Sequence, residues 1–137
     1  MDIVLLIGRI LFGALFLGSA VGHLTQTDAM AGYAASKGVP MAKASVFGSG
    51  VLLVLGGLSV ILGLWGDLGA LLLFLFLVPP AVMMHNFWKE TDPQAKQMEM
   101  IQFNKDIALA GAALAFMWIF SVDPDLTLTD SLFDLWS

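Results

Sequence analysis

The residues in this sequence whose types suit chemistry are few, and they stand where apolar runs end. They are His23, His85, Asn86, Phe87, Trp88, Asn104, Lys105 and Asp106, with Arg9 alone inside the first apolar run. The densest group is Val-Met-Met-His-Asn-Phe-Trp-Lys-Glu at 82–90, where an uninterrupted apolar stretch closes on an imidazole, an amide and an indole before charges begin. At the edge of hydrocarbon each of those hydrogen-bonding groups needs a partner. Imidazoles, an ammonium and a carboxylate are together able to hydrogen-bond an oxygenated ligand and to hold or move a proton.

What positions these residues follows from composition. Of 137 residues, 58% are hydrophobic and 12% charged, with a mean hydropathy of +0.86. A soluble domain carries about a quarter charged residues, so this is an integral membrane protein. At roughly 20 apolar residues per span the chain crosses a bilayer about four times as one domain. The absence of cysteine excludes a disulfide, a thiolate nucleophile and a Cys-ligated metal within this chain. A net charge of −5, part of it from Asp123, Asp125, Asp130 and Asp134, argues against nucleic acid and against a polybasic lipid-binding role. The amino terminus lacks a basic region and a cleavage site, so its apolar run reads as a retained span.

The expected fold class is an all-α membrane protein: an antiparallel bundle of four transmembrane helices with a short interfacial helix in the first loop. The domain is residues 1–122, with spans near 3–24, 44–64, 68–88 and 101–121, and residues 123–137 form an acidic amphipathic tail. In the first span Arg9, Gly13, Phe16, Ala20 and His23 share one stripe, and Arg9 either snorkels or turns inward to a carboxylate. Gly18 and Gly22 form a Gly-x-x-x-Gly pair, which usually marks close helix packing. Asp28, Gly38 and Pro40 punctuate a short helix over 29–37, whose Met30, Tyr33 and Ala34 rest on the membrane or lid the bundle. The glycine-rich second span suits close approach. Pro79-Pro80 should kink the third, with His85 and Trp88 on one side of its last turn. In the fourth, Asn104, Ala108, Gly111 and Ala115 make a small-residue stripe, which turns Asn104 into the bundle. The tail reads as an interfacial cap or a docking strip for a partner.

Four spans with short loops alternate direction. His23, His85, Asn86, Trp88, Asn104, Lys105 and Asp106 therefore converge on one side of the membrane, which also holds Lys37, Lys43, Lys89 and Lys96. By the positive-inside rule that side is cytoplasmic and both termini face outward, with Arg9 counting against the assignment. Three readings of the convergence stand. A metal site would rest on two imidazoles and one carboxylate without supporting spacing, so no metal is expected. A structural network would merely tie the loops down. The third reading is a head-group site for a quinone or other amphipathic aromatic, walled by Phe87 and Trp88, its tail in lipid. There His23 and His85 bond the ring's carbonyl oxygens, Lys105 with Asp106 sets the protonation state, and Arg9 stabilises the far end.

At these residues the chain resembles the DoxX family of small four-span bacterial membrane proteins. The likeness is carried by Arg9 with Gly13 and Phe16, Ser36-Lys37-Gly38-Val39-Pro40, Leu68-Gly69-Ala70, His85-Asn86-Phe87-Trp88 and Asn104-Lys105-Asp106-Ile107-Ala108-Leu109. The family often has Lys-Asn where this chain has Lys105-Asp106. The resemblance implies a bacterial inner-membrane protein associated with oxidoreductase assemblies, a thiosulfate:quinone oxidoreductase among them, and with resistance to quinone and thiol stress. The expected function is a quinone-linked redox component or accessory subunit, whose reaction the sequence leaves open. Lipid, other subunits or a second copy are its expected partners. The alternative is a non-catalytic assembly subunit of a larger membrane complex; a small-molecule carrier fits less well, since four spans give little room for alternating access.

Overall fold

The computed structural model describes residues 2–133, so Asp134, Leu135 and Trp136 of the expected tail lie outside the described residues. The chain forms α1 (Asp2–Thr25), α2 (Thr27–Ser36), α3 (Ala42–Leu62), α4 (Gly66–Met83) and α5 (Pro93–Ser121), with a 3-10 turn at Phe87–Lys89. Four stretches are long and apolar enough to cross a membrane: α1, α3, Gly66–Lys89 and α5. In space α3 lies between α1 and α4, α5 packs on the other flank of α4, and α2 lies on α3.

Glycine permits the close approach of α1 to α3. A Cβ on Gly13 would stand 2.8 Å from the Gly57 carbonyl and as close to the Ile61 side chain, so any larger residue would drive the two helices apart. The Gly18–Gly22 pair serves no such contact among the described residues. Nothing lies within 4 Å of a Cβ at Gly18, and at Gly22 only the Met30 sulfur comes near, at 3.9 Å. The stripe of Arg9, Gly13, Phe16, Ala20 and His23 does face inward: the first four are buried and His23 half-buried.

Two helix ends differ from expectation for local reasons. Pro79 and Pro80 donate no backbone hydrogen bond, so the carbonyls of Leu75 and Phe76 lose their partners four residues on. Three residues later α4 stops at Met83, with the amides of Met84 and His85 both on the Pro80 carbonyl at 2.8 and 3.2 Å. His85-Asn86-Phe87-Trp88 thus lies after the helix and not on its last turn. Conversely, α5 begins at Pro93, well before residue 101. The Asp92 side chain accepts from the Ala95 amide at 2.9 Å, and a proline in the first turn leaves no donor unsatisfied there.

At the end of the bundle remote from the histidines, Arg9 is fully buried and meets no carboxylate among the described residues. Its guanidinium donates to the carbonyls of Val60 (2.9 Å), Ile61 (2.7 Å) and Leu126 (2.9 Å) and lies 5.4 Å from the centre of the Phe120 ring. The first two carbonyls belong to the last turn of α3, where helical partners run out. Gly63, at φ 67°, turns the chain there in a left-handed conformation that a side chain would strain. Residues 123–133 form a strap across this turn. The amides of Leu128 and Thr129 donate to the Leu62 and Gly63 carbonyls (both 3.1 Å), and buried Asp67 accepts from Leu132 (2.8 Å) and Phe133 (2.5 Å). Hydrogen bonds to a charged acceptor contribute about 1.5–3 kcal/mol each. Asp67→Asn is therefore expected to free the strap, so that limited proteolysis in detergent cleaves within 123–133 faster than in the parent while helicity by circular dichroism is kept. Equal digestion would show that the strap is held elsewhere.

Candidate functional site

A cavity of about 700 Å³ fills the space between α1 and α4 at the histidine end. Helix α1 packs on α2 and α3, and α4 on α3 and α5, so the first and fourth helices leave a gap. Toward the Arg9 end aromatic rings join α1 to α5, with Phe12 and Phe116 at 4.8 Å between centroids and Phe16 edge-on to Phe12 at 4.9 Å. Toward the histidines the gap stays open. The cavity is lined by Phe16, Ser19 and His23 of α1, Met30, Tyr33 and Ala34 of α2, Val46, Ser49 and Leu53 of α3, Phe76, Pro79, Pro80 and Met83 of α4, His85, and Lys105, Asp106 and Leu109 of α5. Leu15, Leu75 and Pro79, also in its wall, are exposed on the outer surface of the bundle.

Of the residues singled out from sequence, His23, His85, Lys105 and Asp106 meet at this cavity. The His23 Nδ1 is 2.8 Å from the Ser49 hydroxyl and 3.4 Å from the Val46 carbonyl, and its ring stands edge-on to Phe76. The His85 Nδ1 lies 2.7 Å from Glu99 Oε2, and its Nε2 lies 3.6 Å from Asp106 Oδ2. Lys105 donates to Gln102 at 2.7 Å. Asn86, Phe87, Trp88 and Asn104 are not in the cavity wall. Asn86 accepts from Lys37 at 3.2 Å, while Phe87, Trp88 and Phe103 form an edge-to-face cluster of their own with centroids 5.3–5.6 Å apart. His85 and Trp88 thus part company because the helix ends before both. The aromatic walls of the cavity are Phe16, Phe76 and Tyr33.

Asn104 is exposed, as are Ala108, Gly111 and Ala115, so the expected packed stripe of α5 faces outward. The buried stripe is Asp106, Ala110, Ala113 and Phe120. It is offset by two residues, about 200° around the helix. Small residues occupy both faces of α5 and do not choose between them. The choice follows from partners: this phase brings Asp106 to His85 and Phe120 to Arg9.

Glu99, Tyr33, Lys37 and Glu90 were not legible as site residues. Glu99 bridges His85 and the Tyr33 hydroxyl, which donates to Oε1 at 2.7 Å, and Lys37 bonds Glu90 at 3.0 Å beneath α2. A signal for Glu99 does exist. Asp92-Pro93 starts the helix early enough to put Glu99 and Asp106, seven apart, on one face. The same contacts make α2 a lid: Ala31, Ala34 and Val46 form a buried cluster with Met30, Val39 and Met84 against it.

A family model described as DoxX matches residues 4–86. The chain belongs to the DoxX family. The match spans Arg9, His23 and His85 and ends before Glu99, Lys105 and Asp106, so the likeness seen at 104–109 lies beyond it. No curated protein and no solved structure matches the chain. Family and helices together make this a multi-pass membrane protein.

Burial raises the Tyr33 hydroxyl above the ordinary tyrosine range, and the bond to Glu99 raises it further. The folded protein therefore holds this proton more tightly than the unfolded chain. The corresponding stability is complete below the ordinary tyrosine range and is lost as pH rises through the raised value. Tyr33 is the sole tyrosine, so near-ultraviolet absorbance titration reads it directly. Its midpoint should lie above the ordinary value and move down in Glu99→Gln; an unmoved midpoint would mean that Glu99 does not hold the phenol.

Proposed function

We propose that this protein is a redox component or accessory subunit of bacterial inner-membrane quinone chemistry, and that the cavity between α1 and α4 binds the head group of a quinone-like amphiphile. The observation that carries the reading is the meeting of two histidines and Asp106 in one apolar-walled cavity that opens on the bundle's outer surface. Phe16 and Phe76 offer apolar walls to a ring, polar groups stand in the same cavity, and exposed Leu15, Leu75 and Pro79 flank a path for a tail into lipid. A purely structural network would not need such a volume. Family membership supports an oxidoreductase setting and supplies no reaction.

The cavity end is the cytoplasmic end in this reading. Lys37, Lys43, Lys89 and Lys96 all belong to helix ends and connections on that side. Arg9, which counted against this orientation, is a buried ligand of carbonyls and not a flanking charge. A second reading, assembly with other subunits or a further copy, rests on the strap. Its backbone is anchored while Leu126, Leu128 and Leu132 remain exposed.

The test is calorimetric titration of the detergent-solubilised protein with a short-tailed benzoquinone and its reduced form. His85→Gln and Phe16→Ala should each weaken binding about tenfold, the size of one lost hydrogen bond or ring contact. Binding equal to wild type in both variants would remove the site. For the second reading, Leu126→Ser with Leu128→Ser should abolish stoichiometric copurification of other subunits and leave ring binding intact; unchanged copurification would dismiss the strap as a docking surface.

A further inference from the structure

The hydrogen-bond network around the two histidines fixes which protons they have to offer. The Val46 carbonyl can only accept, and the Ser49 hydroxyl places its one proton on that same carbonyl at 2.7 Å. His23 Nδ1 faces both oxygens, at 3.4 and 2.8 Å; with the Ser49 proton on the Val46 carbonyl, Nδ1 carries the hydrogen and donates. In the neutral ring Nε2 then bears a lone pair. Protonating Nε2 as well would create a half-buried cation with no carboxylate within ion-pair distance among the described residues. No buried side-chain nitrogen or oxygen among the described residues lacks a partner, and Nε2 has none, so Nε2 is accessible; the space His23 lines is the cavity.

His85 repeats the pattern. Its Nδ1 donates to Glu99 Oε2, which leaves Nε2 facing the Asp106 carboxylate at 3.6 Å. Most hydroxyls in the wall are turned to protein acceptors: Tyr33 to Glu99, Ser45 to the Pro40 carbonyl and Ser49 to the Val46 carbonyl, while Lys105 gives one of its three donors to Gln102 and stands on the far side of the cavity wall, on α5, from His23 on α1. Ser19, which serves either way, is the exception.

We infer that the cavity selects the reduced, hydroxyl-bearing form of its ring, a hydroquinone or phenol, with one hydroxyl donating to His23 Nε2. The inference rests on the head-group reading above and reverses one part of it, since a quinone carbonyl would set lone pair against lone pair at His23. Binding involves no electron transfer; the ring donates a hydrogen bond and keeps its proton.

The experiment compares a short-tailed hydroquinone, the matching quinone and the hydroquinone dimethyl ether, titrated anaerobically into the full chain in detergent. The hydroquinone should bind about threefold to tenfold more tightly than the other two, the range that one hydrogen bond spans. In His23→Gln, whose amide both donates and accepts, the preference should vanish. Nitrogen NMR of histidine-labelled protein gives a check without a variant, since there are two histidines: one ring should show a protonated Nδ1 and an unprotonated Nε2 that shifts on adding hydroquinone and not the ether. Binding of all three rings with equal affinity, or a preference that survives His23→Gln, would overturn the selection and leave the head-group site standing. Failure of any ring to bind would overturn both.

Discussion

The structure depends on one requirement of the bilayer: every polar group placed in hydrocarbon must be partnered within the protein. Among the described residues no buried side-chain nitrogen or oxygen lacks a partner. Arg9 shows how demanding that is. A guanidinium at 0% exposure has five donors in a fixed fork, and it is held by carbonyls from α3 and from the strap together with the face of Phe120. Three elements far apart in sequence are thus tied to α1 by one side chain.

From this the two ends of the bundle acquire different characters. At the Arg9 end the partners are backbone groups, and Phe12, Phe116 and Phe120 fill the space between α1 and α5. Asp67 completes the seal by collecting amides from the strap. At the histidine end the partners are side chains, and paired side chains leave volume. There a cavity opens between α1 and α4, with the α2 lid fastened by the Tyr33–Glu99 and Lys37–Glu90 contacts. A closed end and an open end on one bundle suit a ligand held at one side of a membrane.

Prolines and glycines set the spacing that makes this possible. Gly13 against Gly57 brings α1 hard onto α3, which leaves α1 displaced from α4. Pro79 and Pro80 end α4 early, so His85 sits on a connecting segment that carries it toward Glu99 and Asp106. Had the helix continued through Trp88, His85 would have been fixed by helical phase alone.

Sequence alone determined the number and approximate place of the spans, the inward stripe of α1, the short helix after it, the family, and the convergence of His23, His85, Lys105 and Asp106. These follow from hydropathy, spacing and loop length, which are local properties of the chain. Tertiary structure alone decided which face of α5 is buried, where Arg9 finds its partners, and that Asp67 holds the strap. It also decided that Glu99 and Tyr33 join His85 while Phe87 and Trp88 pack with Phe103. The physical reason is the same in each case. Small residues on α5 fit either face, and an arginine, an aspartate or a histidine fixes no partner by its own identity; the partner is whichever donor or acceptor the packed helices bring within hydrogen-bond distance.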